Sequence, residues 1–146
     1  MINFRNITEN NFLAIISMKL PEGESFVAST SYSLAQAWLY REDGDVFPFA
    51  IYSDDTPVGF MMLEEDREAH KLWLWRILIS AEHIGKGFGT ESIQLLSRIV
   101  RESKKYDALY LDCNENNAVA MHVYQKLGFQ FTGDLNHGDL EMRLDI

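Results

Sequence analysis

The chain has 146 residues, 47% hydrophobic and 24% charged, with only 3 Pro, which fits one compact domain over residues 1–146 and excludes two full ones. A chain of this size buries roughly 70% of its unfolded surface, so its core needs no disulfide or structural metal, and its single cysteine, Cys113, has no internal partner. Thirteen Lys and Arg against 22 Asp and Glu give a net charge of -9, which disfavours nucleic acid or a membrane surface as partner and favours a small cationic amine.

The N-terminal segment MINFRNITENNF lacks the basic start and apolar stretch of a signal peptide, and no apolar run approaches the roughly 18 residues of a membrane span. The expected setting is a reducing cytoplasm. Ile2 to Ile7 reads as a first strand, and Thr8 as the N-cap of a helix carrying Phe12, Ile15, Ile16 and Lys19 at helical spacing. A loop from Leu20 to Ser29 leads to a second helix over about Ser31 to Arg41, with Leu34, Ala37 and Trp38 inward. Phe47 to Ser53 and Pro57 to Glu64 read as a hairpin around Asp54-Asp55-Thr56. Leu72 to Ile79 is apolar on both alternating faces, as a central strand should be. A glycine-rich turn opens a third helix with Gly89, Ile93, Leu96 and Val100 as its stripe, followed by a strand from Ala108 to Cys113. Asn117 opens a fourth helix, with Ala120, Val123, Tyr124 and Leu127 as a stripe and Gly128 at C′. Phe129 to Gly133 and Asp139 to Leu144 close the chain as a hairpin around Asn136-His137-Gly138. The order is βααβββαβαββ, and the exposed edge of the last hairpin is compatible with a homodimer.

The segment Ile84-Gly85-Lys86-Gly87-Phe88-Gly89-Thr90 lies between a buried strand and a helix. Three glycines at alternate positions let the backbone approach a ligand and aim N–H groups outward, while the helix N-terminus adds about half a positive charge. That pattern suits a phosphate group. The alternative is a tight turn, with Gly89 allowing close packing of helix on sheet. A Walker loop does not fit, because Lys86 is followed by Gly87 and position 80 is Ser; a dinucleotide fingerprint lacks its third glycine at Thr90. Asn117 and Tyr124, seven positions apart, point about 20° apart around a helix and can share one groove.

With Gly87 and Gly89 in that loop, and Asn117, Ala120, Tyr124 and Lys126-Leu127-Gly128-Phe129 in and after the fourth helix, the chain resembles the GNAT N-acetyltransferases over nearly its whole length. Ile84 stands where the family usually has Gln or Arg. Within the family it looks most like the bacterial spermine/spermidine acetyltransferases, through Ser25 to Ser29, Trp73 to Ile79 and Gly128 to Leu135. The resemblance implies an α/β fold: a mixed, mostly antiparallel seven-stranded sheet flanked by four helices, with strands four and five parallel and splayed. It implies acetyl-CoA as cosubstrate, bound by Ile84, Gly85, Lys86, Gly87, Phe88, Gly89 and Thr90, with Asn117 and Lys126 and the backbone at Leu78 and Ile79. Tyr124 matches the family tyrosine that protonates the departing thiolate, and an N–H near Leu78 and Ile79 would hold the oxyanion.

The expected reaction is acetylation of a primary amine, a polyamine such as spermidine or spermine, by direct attack in a ternary complex. A protein N-terminus, lysine or aminoglycoside acceptor, or a non-catalytic acetyl-CoA sensor, are the alternatives. An amine with an ammonium pKa of roughly 10 must lose a proton before attack. The base is unassigned, with Glu64, Glu65 and Asp112 as its candidates, and Glu22 and Glu24, in the loop that lines the acceptor in relatives, could hold a cationic amine. Arg76, alone in a buried strand, is expected to pair with an acid. The histidines, His70, His83, His122 and His137, fall in separate elements without ligand spacing, so no metal is expected.

Overall fold

The computed structural model describes residues 1–21 and 28–146. Within them the elements run β1 (Ile2–Asn6), α1 (Phe12–Ile16), α2 (Thr30–Leu39), β2 (Val46–Ser53), β3 (Thr56–Asp66), β4 (Lys71–Ile79), α3 (Phe88–Ser103), β5 (Ala108–Cys113), α4 (Ala118–Lys126), β6 (Gln130–Asn136) and β7 (Asp139–Asp145). One seven-stranded sheet has the order β1-β2-β3-β4-β5-β7-β6, which makes β4 its middle strand. Every neighbouring pair is antiparallel except β4 and β5, which run parallel.

Alternation along β3 sends Met61 and Leu63 to one face and Phe60 and Met62 to the other. The first face is covered by Ile93, Leu96 and Val100 of α3 and by Ala120, Tyr124 and Leu127 of α4. Ile15 of α1 and Leu34 and Ala37 of α2 cover the second. Each fully buried aliphatic side chain in these layers contributes about 1.5–3 kcal/mol by leaving water.

Two irregularities in β4 shape everything that follows. Its parallel pairing with β5 stops at Leu74 and Leu111, although both strands continue. Opposite β3, Met62 pairs with Arg76 and Leu63 with Leu74, so Trp75 is an extra, bulged residue. The bulge puts two consecutive side chains on one face: Trp75 packs against the α2 layer and Arg76 reaches α2 itself, while Leu74 and Ile77 belong to the α3 layer.

Several expectations need correcting. Thr8 does not cap α1; Asn11 does, and its side chain accepts the Thr8 N–H at 2.8 Å. This closes a turn in place of the first helical turn; at the other end the helix stops at Ile16 with Ser17 as its C-cap, so Lys19 falls beyond it. Trp38 is turned outward, 67% exposed, with the Arg41 guanidinium 3.6 Å over its ring. A short 3-10 turn, Ala81–His83, stands between β4 and the glycine segment. The strand after α4 runs on to Asn136, kinked between Phe131 and Leu135 around Gly133, whose φ is +93°. It is an edge strand, and it ends in a tight turn where His137 and Gly138 both have positive φ.

Candidate active site

Two clefts lie on opposite faces of the sheet and meet where β4 and β5 part. The first, of about 440 Å³, is lined by Ile77 and Ile79 of β4, by Ile84 to Thr90 without Lys86, by Ile93, and by Val119, Ala120, Val123 and Tyr124 of α4. Gly85 and Gly87 have φ of +82° and +83°, a backbone that L side chains resist, and a Cβ on Gly85 would meet nothing within 4 Å. Among the described residues, the N–H groups of Gly85 through Thr90 donate no intramolecular hydrogen bond, and α3 has no side-chain cap. Orphan donors at the head of a 16-residue helix, beside a glycine, Gly85, with open space above it, fit a phosphate. The close-packing alternative for Gly89 is weaker, because a Cβ there would meet only Ile79 Cγ1, at an ordinary 3.6 Å.

The second cleft, of about 480 Å³, is lined by Gln36, Tyr40, Trp75, Arg76, Asp112, Cys113, Asn117, His137 and Asp139 among others. Ile77 and Tyr124 line both clefts. Tyr124 is partly buried, its ring edge-on to Phe129 at 6.1 Å, and its hydroxyl has no hydrogen-bond partner among the described residues. Burial, with Cys113 nearby, pushes its pKa up to about 12, so it stays protonated at neutral pH.

The second cleft continues into a third, of about 340 Å³, through Tyr40, Trp75, Asp112 and His137, and this one ends at Glu64 and Trp73. The Asp112 carboxylate accepts both contacts from Asn136 Nδ2, at 3.1 and 3.0 Å. Its pKa is nevertheless raised, first by burial and then by Asp139 and Glu141; Glu64 is raised by burial, Asp45 and Asp66. Among the described residues neither carboxylate forms an ion pair, and His137 is the one group that offsets their repulsion.

The structure therefore gathers Tyr124, Asn117 and Asp112 in one cleft and the glycine segment with Ile79 in the other. Leu78 belongs to neither. The Ser80 N–H donates to Val58 O of β3, so by strand alternation Leu78 also faces β3, and the N–H groups of Ile77 and Ile79 face the gap beside β5. Asn117 does not line the first cleft; it caps α4 by accepting the Ala120 N–H at 3.3 Å. Lys86 and Lys126 are exposed and line neither cleft. Glu65 is occupied by Arg67, at 2.6 Å, and by the Tyr106 hydroxyl, away from the site. Arg76 pairs with no acid among the described residues; its partners are Ser33 and Gln36. Glu22 and Glu24 lie outside the described residues. His137, which the sequence places without a role, is exposed but lines the second and third clefts, because β7 pairs with β5 and puts its turn beside the end of that strand. No group of His, Cys, Asp and Glu among the described residues could hold a metal ion, and no helix there is long and apolar enough to cross a membrane.

Residues 12–129 match the sequence profile of the acetyltransferase (GNAT) family. The chain is 32% identical over 142 residues to the spermine/spermidine N(1)-acetyltransferase of Bacillus subtilis strain 168, covering 92% of this chain and 91% of that one. Among solved structures it is similar to spermidine N-acetyltransferase from Vibrio cholerae in complex with CoA and spermine, with a TM-score of 0.74, 19% identity and coverage of 99% and 94%. It is similar too to the PaiA N-acetyltransferase of Thermoplasma acidophilum in complex with coenzyme A, with a TM-score of 0.73, 18% identity and coverage of 100% and 99%. At these identities the structures show the fold alone.

Proposed function

The chain belongs to the acetyltransferase (GNAT) family, an enzyme that takes its acetyl group from acetyl-CoA, and from that premise we propose that its acceptor is the primary amine of a polyamine such as spermidine or spermine. The observation that carries the proposal is the run of clefts from Tyr124 past Asp112 to Glu64, walled by Tyr40, Trp73 and Trp75. Strand spacing puts the Asp112 and Glu64 backbones on the order of 12 Å apart, a span for a chain of methylenes carrying several ammonium groups. Aromatic faces hold such cations and the methylenes between them. The Bacillus subtilis relative, by its name an acetyltransferase of spermine and spermidine, supports the same reading.

The glycine segment holds the diphosphate of acetyl-CoA through its free N–H groups, and the apolar walls at Ile77, Ile79, Val119 and Val123 hold the pantetheine. Its thioester then lies in the gap between β4 and β5. The N–H of Ile77 or Ile79 donates to the oxygen as it gains charge. The amine nitrogen, neutral at this stage, bonds to the carbonyl carbon as the carbon–sulfur bond breaks. Tyr124 gives its hydroxyl proton to the sulfur and is reprotonated, through water, from the nitrogen.

A thiol-release assay with acetyl-CoA against a panel of amines tests the acceptor. Spermidine or spermine should exceed a lysine peptide and an aminoglycoside in kcat/KM, and the polyamine KM should rise with salt as the carboxylates are screened. A peptide or aminoglycoside ahead of every polyamine overturns the proposal. Acetyl-CoA binding with no turnover of any amine would identify a sensor.

Ile84 is 48% exposed and lines the coenzyme cleft, so an arginine there has room to reach a phosphate. Ile84→Arg should tighten acetyl-CoA binding by ~1–2 kcal/mol in calorimetry. Unchanged affinity would mean that the backbone donors already suffice.

A further inference from the structure

Arg76 is the cation that the acceptor cleft should not contain. It stands beside the Trp75 bulge, half-buried, in the cleft that also contains Tyr124. Its Nη1 donates to Ser33 Oγ at 3.2 Å and to Gln36 Oε1, and its guanidinium lies 5.1 and 5.4 Å from the ring centres of Trp75 and Tyr32. All four partners are neutral. The ion pairs among the described residues join Met1 to Asp54, Arg5 to Asp55, Arg67 to Glu65 and Arg143 to Asp145, and Arg76 enters none. Nε and Nη2 keep three N–H donors without a partner among the described residues. A guanidinium held this way keeps its full charge in a place of reduced solvent screening.

We propose that Arg76 is a positioning residue for the acceptor: its charge excludes an ammonium from the reacting end of the cleft, so the amine beside Tyr124 sits there neutral while the remaining ammonium groups lie toward Asp112 and Glu64. This rests on the polyamine reading and adds to it a direction and a protonation state.

The charged and titratable groups around the site divide accordingly. Tyr32 of α2 and Tyr40 just after it face the site with Tyr124 of α4 and the Cys113 thiol, and burial pushes the last two up, so both stay protonated at pH 7. Asp112 of β5 and Asp139 of β7 line the same cleft with His137, and they lead to Glu64 of β3. Without Arg76, these acids would favour the ammonium form everywhere in the cleft. With it, the field changes sign along the length of the acceptor. The amine proton leaves to water, and no strong base is required at the reacting end. That accounts for a site whose wall at this point is Trp75 and Arg76, with no carboxylate on β4.

The test is the pH dependence of the single-turnover rate at saturating acetyl-CoA and spermidine, which reports the amine's pKa in the complex. The wild-type acid limb should fall well below the solution value of roughly 10. Arg76→Gln should move the limb upward by about one to two pH units, the effect of removing one charge at close range. Arg76→Lys, which keeps the charge, should leave the limb in place even where it lowers the rate. Gln36→Glu neutralises Arg76 without removing it and should reproduce the upward shift, which covers the case of a poorly folded Arg76→Gln. An unmoved limb in both Arg76→Gln and Gln36→Glu, whatever the rate, would show that Arg76 only ties β4 to α2 and would overturn the proposal. Failure of spermidine and spermine as substrates would overturn the polyamine reading instead. The limb is then measured with the best amine of the panel, and the same criterion decides Arg76.

Discussion

Tyr124→Phe is expected to lower the single-turnover rate by ~10²–10⁴-fold while leaving acetyl-CoA affinity and melting temperature nearly unchanged. Each part has a structural reason. The ring packs edge-on against Phe129 and belongs to the core under α4, and phenylalanine keeps both contacts. The hydroxyl has no intramolecular partner among the described residues, so its removal leaves no buried group unpaired. On the proposed reading, coenzyme binding rests on the glycine segment and the apolar cleft walls, which the substitution leaves untouched. What is lost is the one side-chain proton donor that lines both clefts among the described residues. A phenol with a pKa of about 12 is a weak acid toward a free thiolate, so Tyr124 must act while charge develops on sulfur, its own deficit made good by the nitrogen's proton. A tyrosine that merely fills space predicts the reverse, with the rate intact and the melting temperature lowered. An unchanged single-turnover rate would remove Tyr124 from the chemistry and leave α4 as a wall of the site.

The glycine-lined cleft proposed for the coenzyme was legible in the chain because its determinants are local. Gly85, Gly87 and Gly89 sit at alternate positions of one short segment, and the apolar stripe Ile93, Leu96 and Val100 marks the helix that follows them. The clefts proposed for the acceptor were not, because their determinants are non-local. One extra residue in β4, Trp75, is defined only by the register against β3, and sequence alternation alone would have put Arg76 on the opposite face. Its neutral partners come from α2, some 40 positions earlier. Asp112 and His137 share a cleft because β7 lies against β5 and its hairpin turn returns there. The misread α1 boundary is of another kind: Thr8 and Asn11 are both capping residues, and only the bond from Thr8 N–H to the Asn11 side chain decides between them. Trp38 followed the helical stripe on paper, but a ten-residue helix against an open sheet buries a narrow face, and the indole is instead paired with Arg41.

Gly89→Val is expected to weaken acetyl-CoA binding at least ~100-fold, about 2.7 kcal/mol, in a protein that melts no lower than wild type. Gly89 lies in the first turn of α3 without a positive φ, so valine adds no backbone strain there and has the better helix propensity by a few tenths of a kcal/mol. Its Cβ meets Ile79 Cγ1 at 3.6 Å, an ordinary contact that asks nothing of the sheet. The branches of valine then project into the coenzyme cleft, where a phosphate has to approach the N–H groups of Gly87 to Thr90. Each charge-assisted bond from such a donor contributes about 1.5–3 kcal/mol, so displacing the phosphate from one or two of them accounts for the expected loss. Gly87→Val should weaken binding as much, but it is a poorer test. Its φ of +83° makes valine strained by about 1–2 kcal/mol, and fraying of the helix head would lower affinity without any direct clash. Titration calorimetry with acetyl-CoA and a melting curve on Gly89→Val separate the two effects. Near-wild-type affinity would place the diphosphate elsewhere and return Gly89 to the role of a helix-to-sheet contact, while a large fall in melting temperature would show that the glycine serves the fold.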